Sequence, residues 1–274
     1  MLSKRTFTTF TSTSRTLFTL ASSPHSSTYQ RTAQVTAHLA SQPAQLTKAG
    51  KQIRRMSTAM GKRLEGKTVL ITGASSGIGK STALEFARTS PKNLKLILTA
   101  RRIDALKALA EQINSEVGEG VQCLPLQLDM SKPKDIISAI ANLPAEFKDV
   151  DVLVNNAGLV KGVAKSPDIV PEDIDVMFAT NVTGLITMTQ EVMKGMMKRG
   201  ESGQGDIINI GSIAGREGYP GGSIYCATKA AVRTFTDALR RELIASRIRV
   251  IEIDPGQVET VSLEFLHVLF CFYW

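Results

Sequence analysis

Short apolar runs rich in β-branched residues alternate, from about residue 64 to 260, with longer stretches whose apolar positions recur every three or four residues. The runs are 67–72 (KTVLIT), 94–99, 121–128, 150–154, 205–211 and 248–253. Each has strand length and is bounded by turn formers. Between them the helical period predicts helices over 80–88, 103–117, 134–142 and 171–199, and one starting near Tyr225. In that last helix Ala231, Phe235, Leu239 and Leu243 form a line at i, i+4 along one face. Strand alternating with helix predicts a single α/β domain, a doubly wound parallel sheet flanked by helices with right-handed crossovers.

The chemistry-bearing residues fall at the ends of the predicted strands. Gly73, Gly77 and Gly79 follow the first strand at once, in TGASSGIG, and open the first helix. Strand, glycine turn and helix bring backbone N–H groups and a helix N-terminus to a pyrophosphate, where glycine tolerates positive φ and close approach. The spacing is GxxxGxG, and a Rossmann-like dinucleotide site is predicted there. The second strand ends in Arg101 and Arg102, where a carboxylate would grip a ribose 2′-hydroxyl. Arginine at that place suits a 2′-phosphate, hence NADP, although a solvated strand end gives the same residues. Asp129 and Met130 close the third strand; Asn155, Asn156, Ala157 and Gly158 close the fourth. Tyr225 and Lys229 stand one helical turn apart on one face. Ser212 precedes Tyr225 by thirteen residues and directly follows the fifth strand.

These blocks, TGASSGIG, NNAG, Asn181, Ser212, YCATK and Pro255–Gly256, occur in the order of the short-chain dehydrogenase/reductase family, which residues 64–260 resemble. Within that family the chain is most similar to fungal NADP-dependent 3-hydroxy acid dehydrogenases acting on serine and L-allo-threonine. The resemblance implies a hydride-transferring NADP enzyme with Asn181, Ser212, Tyr225 and Lys229 as its catalytic set. Tyr225 is the implied acid/base, Lys229 eases its anion and holds the nicotinamide ribose, and Ser212 binds the substrate oxygen. Asn181 kinks its helix so that a backbone carbonyl holds a relay water. Cofactor contacts are implied for Gly73, Ser75, Ser76, Gly77, Ile78, Gly79, Arg101, Arg102, Asp129, Met130, Asn155, Ala157, Gly158, Tyr225, Lys229, Pro255, Gly256, Val258 and Thr260. No metal is implied, and His25, His38 and His267 all fall outside the domain core. Full-length relatives are implied to be homo-oligomers that pair through the 171–199 helix and the Tyr/Lys helix.

Composition changes the picture at the two ends. The formal net charge is +8, but the ten Lys/Arg of residues 1–64 meet no Asp or Glu, and the remainder carries a net −2. Basicity therefore belongs to the leader, and nothing argues for nucleic acid as a partner. Residues 1–60, rich in Ser, Thr and Ala with Arg5, Arg15, Arg31, Arg54 and Arg55, have the composition of a mitochondrial transit peptide or a disordered leader. A start at Met56 or Met60 would leave the same domain cytoplasmic. Three scattered cysteines fit a reducing compartment, and no apolar run reaches the ~18 residues of a membrane span.

After Thr260 the chain reads VSLEFLHVLFCFYW, an apolar tail (261–274) where relatives continue with a lid, a helix and a seventh strand. The expected domain is thus C-terminally truncated. Val261–Ser262 is encodable by GTAAGT, an intron start, which makes a retained intron one origin for the tail. Two function classes follow: an NADP-dependent oxidoreductase acting on a small hydroxy or carbonyl compound, or a catalytically inactive product that binds cofactor only.

Overall fold

A computed structural model describes residues 61–258; the leader, Thr260 and the apolar tail lie outside them. Six strands form one parallel sheet: β1 (Thr68–Thr72), β2 (Leu94–Ala100), β3 (Val121–Gln127), β4 (Val152–Asn155), β5 (Gln204–Ile210) and β6 (Arg247–Ile253). Their spatial order is β3-β2-β1-β4-β5-β6. The strand order reverses between β1 and β4, where an open parallel sheet has its ligand crevice, outside the carboxyl ends of the strands. The register is continuous through the centre, with Ile71 of β1 beside Leu98 of β2 on one side and Val154 of β4 on the other.

Alternation along the strands builds two apolar layers. Val69, Ile71, Leu96 and Leu98 face α1 (Gly77–Thr89) and α2 (Ile103–Val117), meeting Ala83, Leu106, Leu109 and Ile113. Leu70, Ile97, Leu153 and Ile207 face the other way, onto α3 (Pro133–Ala141), α5 (Leu185–Met196) and α6 (Ser223–Glu242). All four central strand residues in that second layer are buried, which is why the interior strands read as unbroken apolar runs. β6 differs. Ile248 and Val250 are buried, whereas Arg249, Ile251 and Ile253 are exposed, and among the described residues no helix covers that face.

The predicted helix over 171–199 is three segments: α4 (Pro171–Phe178), a π-helical turn (Ala179–Gly184) and α5. A π turn inserts one residue without breaking the axis, so the apolar period runs through it and a single long helix is what the pattern suggests. Gly184 is where the turn packs on the end of β3, since a side chain there would collide with the Met130 carbonyl. α1 starts at Gly77, three residues before the expected start, because two of the first three residues are glycine, a poor helix former. Among the described residues no helix is long and apolar enough to cross a membrane.

A buried polar ladder ties the two halves. Asn155 at the end of β4 donates through Nδ2 to Thr189 Oγ1 of α5 (2.8 Å) and Asn209 Oδ1 of β5 (2.9 Å). Asn209 Nδ2 donates in turn to Thr236 Oγ1 of α6 at 2.9 Å. All four residues are at most 2% exposed. Removing the middle member leaves buried groups unpaired on both sides, at about 1–3 kcal/mol. Asn209→Ala is therefore expected to lower stability by about 2–3 kcal/mol in a denaturant melt. Lys194→Ala, which removes an exposed pair with Glu191, should change it by less than ~1 kcal/mol. Equal effects would contradict the ladder's role.

Candidate active site

The carboxyl ends of β1, β2 and β4 build a glycine-lined cradle. Gly73 leaves β1 with φ +68°, and a side chain there would strike the backbone of Ala157. This turn is held from β4. Asn156 Nδ2 donates to the Thr72 and Gly73 carbonyls (2.9 and 3.3 Å), and the backbone N–H groups of Asn156 and Ala157 donate to Thr72 Oγ1 (3.0 and 2.9 Å). Ser76 stands at the N-cap of α1 in extended conformation with no side-chain cap, and the first turn holds no acid. The exposed donors and positive helix end fit an anionic group such as a dinucleotide pyrophosphate.

Arg102 reaches over this turn, its Nη2 donating to Ser75 Oγ at 3.3 Å. Arg101 lies at the mouth of an open groove that runs past Asp129 to α3. Burial works against the Asp129 carboxylate, but hydrogen bonds from the Ser131 backbone and hydroxyl, with the charges of Arg101 and Lys132, hold it below the ordinary carboxylate range. Two arginines thus stand at the carboxyl end of β2, Arg102 over the glycine turn and Arg101 beside the ionised Asp129.

The second cluster lies across the switch point, where α6 carries Tyr225 and Lys229. Lys229 Nζ is 5.8 Å from the Tyr225 ring centroid and donates to the Ile210 carbonyl at 2.8 Å, at the end of β5. Ser212, two residues on, accepts from Ala214 N–H at 3.1 Å, and its hydroxyl lies close enough to Tyr225 to act on the phenol. Gly215 lets this turn lie directly on α6, since a Cβ there would be 2.8 Å from the Lys229 carbonyl. Asn181 is 1% exposed within the π turn. Its side chain accepts from Leu159 N–H (2.9 Å) and donates to the Leu159 carbonyl (2.8 Å) and Thr228 Oγ1 (3.1 Å). Thr228 itself donates to the Tyr225 carbonyl at 2.7 Å. Asn181 is thereby latched to the segment after β4 and to the helix of Tyr225.

Burial dominates the electrostatics. It pushes the Tyr225 hydroxyl above its ordinary value, the hydrogen bond with Ser212 pulls the other way, and Cys226 adds to the rise. It pulls Lys229 down to about 8, against Asp254 and Glu252, whose negative charges raise it. Desolvation of the phenol is the largest of the influences on Tyr225.

The other expected contact residues are spread over several elements. Met130 is a core residue, 5% exposed and in the apolar layer with Leu128, Ile136 and Met188. The Asn155 side chain belongs to the buried ladder and supports the cradle from beneath. Asn181 uses its amide for latching, which leaves any role in proton transfer to its backbone. Ile78 and Gly79 lie in the first turn of α1, with Gly79 buried. Gly158 packs against both Asn181 and Lys229, whose Oδ1 and Nζ would be 3.5 and 3.7 Å from a Cβ there. Pro255 accepts from Ile213 N–H at 3.1 Å, and Gly256 and Val258 are exposed beside it; Thr260 lies outside the described residues. Thr72, Asn156 and Thr228 lie inside the sequence blocks, but their hydrogen bonds, which fix the turn after β1 and hold Asn181, are announced by no spacing.

Comparison with known proteins agrees with this geometry. The short chain dehydrogenase family model matches residues 67–266. An NADP-dependent 3-hydroxy acid dehydrogenase of Schizosaccharomyces pombe is 52% identical over 198 residues, 72% of this chain and 74% of that protein. A serine 3-dehydrogenase of Rhizobium radiobacter is 38% identical over 193 residues, 70% and 72% of the two chains. Among solved structures, the closed form of serine dehydrogenase complexed with NADP+ is 40% identical, with a TM-score of 0.62 over 70% of this chain and 73% of that one. A short-chain dehydrogenase from Sphingobium yanoikuyae in complex with NADPH is 34% identical, with a TM-score of 0.64 over 73% and 75%. With the crevice, the glycine cradle and the Ser212–Tyr225–Lys229 cluster in their places, the chain belongs to the short-chain dehydrogenase family.

Proposed function

We propose that the protein is an NADP-dependent oxidoreductase that moves a hydride between the nicotinamide and the carbinol or carbonyl carbon of a small 3-hydroxy acid such as serine or L-allo-threonine. The observation that carries this reading is the convergence of Ser212, Tyr225 and Lys229 at the carboxyl end of β5, across the crevice from the glycine cradle. NADP, when bound, supplies the hydride acceptor or donor. In the oxidative direction Tyr225 takes the carbinol hydroxyl proton as the carbon gives up its hydride, and Ser212 holds the same oxygen by a hydrogen bond. Lys229 places a cation near that phenol, and Asn181 fixes the helix that carries both.

The substrate class is supported by the relatives, which are named for 3-hydroxy acids and for serine. A recess beside Tyr225, walled by Val160, Lys161, Asp173, Met177 and Gly221, supports it too. Lys161 offers a cation for a carboxylate there, and Asp173 an anion for an amino group. Preference for the phosphate-bearing cofactor is supported by Arg101 and Arg102, and by the NADP+ and NADPH complexes of similar structures. Mitochondrial delivery is supported by the acid-free, Ser/Thr/Arg-rich composition of residues 1–60.

Tyr225→Phe is expected to reduce turnover by ~10²-fold or more while NADPH still raises the melting temperature as in the wild type, since one acid/base group is lost and the cradle is untouched. Unchanged turnover would remove Tyr225 from the chemistry. Arg101→Ala and Arg102→Ala should each weaken NADPH far more than NADH, by roughly tenfold or more, because a charge-assisted bond to phosphate contributes about 1.5–3 kcal/mol. Titration of both cofactors by fluorescence checks this. Equal weakening of both would mean that neither arginine reads the 2′-phosphate.

A further inference from the structure

The end of β6 carries two acids that the proposed reaction does not use. Glu252 and Asp254 are separated by one residue and share a face of the strand. A methyl group built on Gly211 would collide with Glu252 Oε1 and Asp254 Oδ1 together. Both oxygens are out of solvent, and neither has a hydrogen-bond partner elsewhere. Two ionised carboxylates in this place would repel each other and leave buried acceptors unsatisfied. One proton between them satisfies both. The other oxygen of Asp254 settles which acid is ionised, because Oδ2 accepts from Arg216 Nε at 2.7 Å and Nη2 at 2.6 Å. Gly211 in turn adjoins Ile210, whose carbonyl anchors Lys229.

We propose that Glu252 and Asp254 form a carboxyl dyad holding one proton and one negative charge, and that this charge is the positioning counter-ion that keeps Lys229 protonated beside Tyr225. The role rests on the oxidoreductase reading. Glu252 carries the proton and Asp254 the charge, fixed by Arg216 at the end of the turn that follows Ser212. The charged and titratable groups around Lys229 are Tyr225 on its own helix, the two acids on β6 and Arg216 on that turn; Arg240 of α6 faces Glu252 and reaches the Val250 carbonyl. Glu252 is raised by burial and by Asp254, as a proton-holding partner must be. Gly211 is required for the arrangement, since any side chain there would displace both oxygens.

Turnover needs the Lys229 ammonium, so its alkaline limb follows loss of that proton. Glu252→Gln leaves Asp254 ionised, and Asp254→Asn lets Glu252 ionise in its stead. Either single variant keeps one negative charge and should keep the alkaline limb of kcat within about 0.3 pH unit of wild type. The double variant keeps none, and its limb should move to lower pH by about one unit, with turnover on the alkaline side down roughly tenfold. A double variant whose limb coincides with wild type would overturn the counter-ion role, as would a single variant that moves it as far as the double. A purely structural role would lower kcat without moving the limb. Infrared spectroscopy tests the dyad without activity: the C=O stretch of a protonated carboxyl should be present at neutral pH in wild type and lost in Glu252→Gln. Its absence from wild type overturns the shared proton even if the double variant fails to fold. Wild type without turnover would instead reject the oxidoreductase reading and leave the infrared result standing.

Discussion

The buried hydrogen bonds from Asn155 through Asn209 to Thr236, with Thr189 on the flank, are the constraint on which the site depends. β4 ends in the segment that braces the glycine cradle and latches Asn181, and β5 ends in the anchor of Lys229 and in Ser212. α5 continues from the π turn of Asn181, and α6 carries Tyr225 and Lys229. A slip of any one against the others would separate the phosphate cradle from the reacting groups. Apolar packing would tolerate such a slip at modest cost, because Leu, Ile and Met interchange neighbours readily. Paired amides and hydroxyls in a dry interior do not, since each displaced partner is left unsatisfied.

That same dryness sets the chemistry. Lys229 is held where burial favours its neutral form, and Tyr225 where burial favours the phenol. Opposing charges must make up the difference: the acids of β6 for Lys229, and for Tyr225 the cations that meet it when the site is complete. The π turn belongs to the same economy of contacts, because it brings the Asn181 amide to Leu159 and Thr228 at once. A regular helix from Pro171 to Met196 would rotate that amide away from one of the two.

Much of this was legible in the sequence, and the reason is physical. Buried parallel strands are continuous β-branched runs, and the glycines after β1 are forced by positive φ and close backbone approach, so both leave a local signature. The Ser212–Tyr225–Lys229 cluster is legible because Tyr225 and Lys229 share a helical face and Ser212 closes a strand. The π turn was not legible beyond a kink at Asn181, since the apolar period passes through it. Asn156 and Thr72 act through backbone groups of each other's segments, and Thr228 meets the Asn181 side chain from another helix; no spacing encodes such encounters, and the spacing that puts Glu252 and Asp254 on one face does not show that Gly211 leaves them room. Met130 shows the converse, a residue placed at the cofactor by its position after β3 that the packing of α3 and α5 takes into the core.

The proposed reaction is hydride transfer between NADP and a hydroxy acid carbon at the Tyr225–Lys229 cluster. It is tested most directly by incubating the protein with a 3-oxo acid and NADPH dideuterated at C4 and examining the product by mass spectrometry and NMR. One deuterium on the new carbinol carbon, absent with Tyr225→Phe, is the predicted result. A carbinol without deuterium, or no carbinol from well-folded protein that binds NADPH, would contradict it.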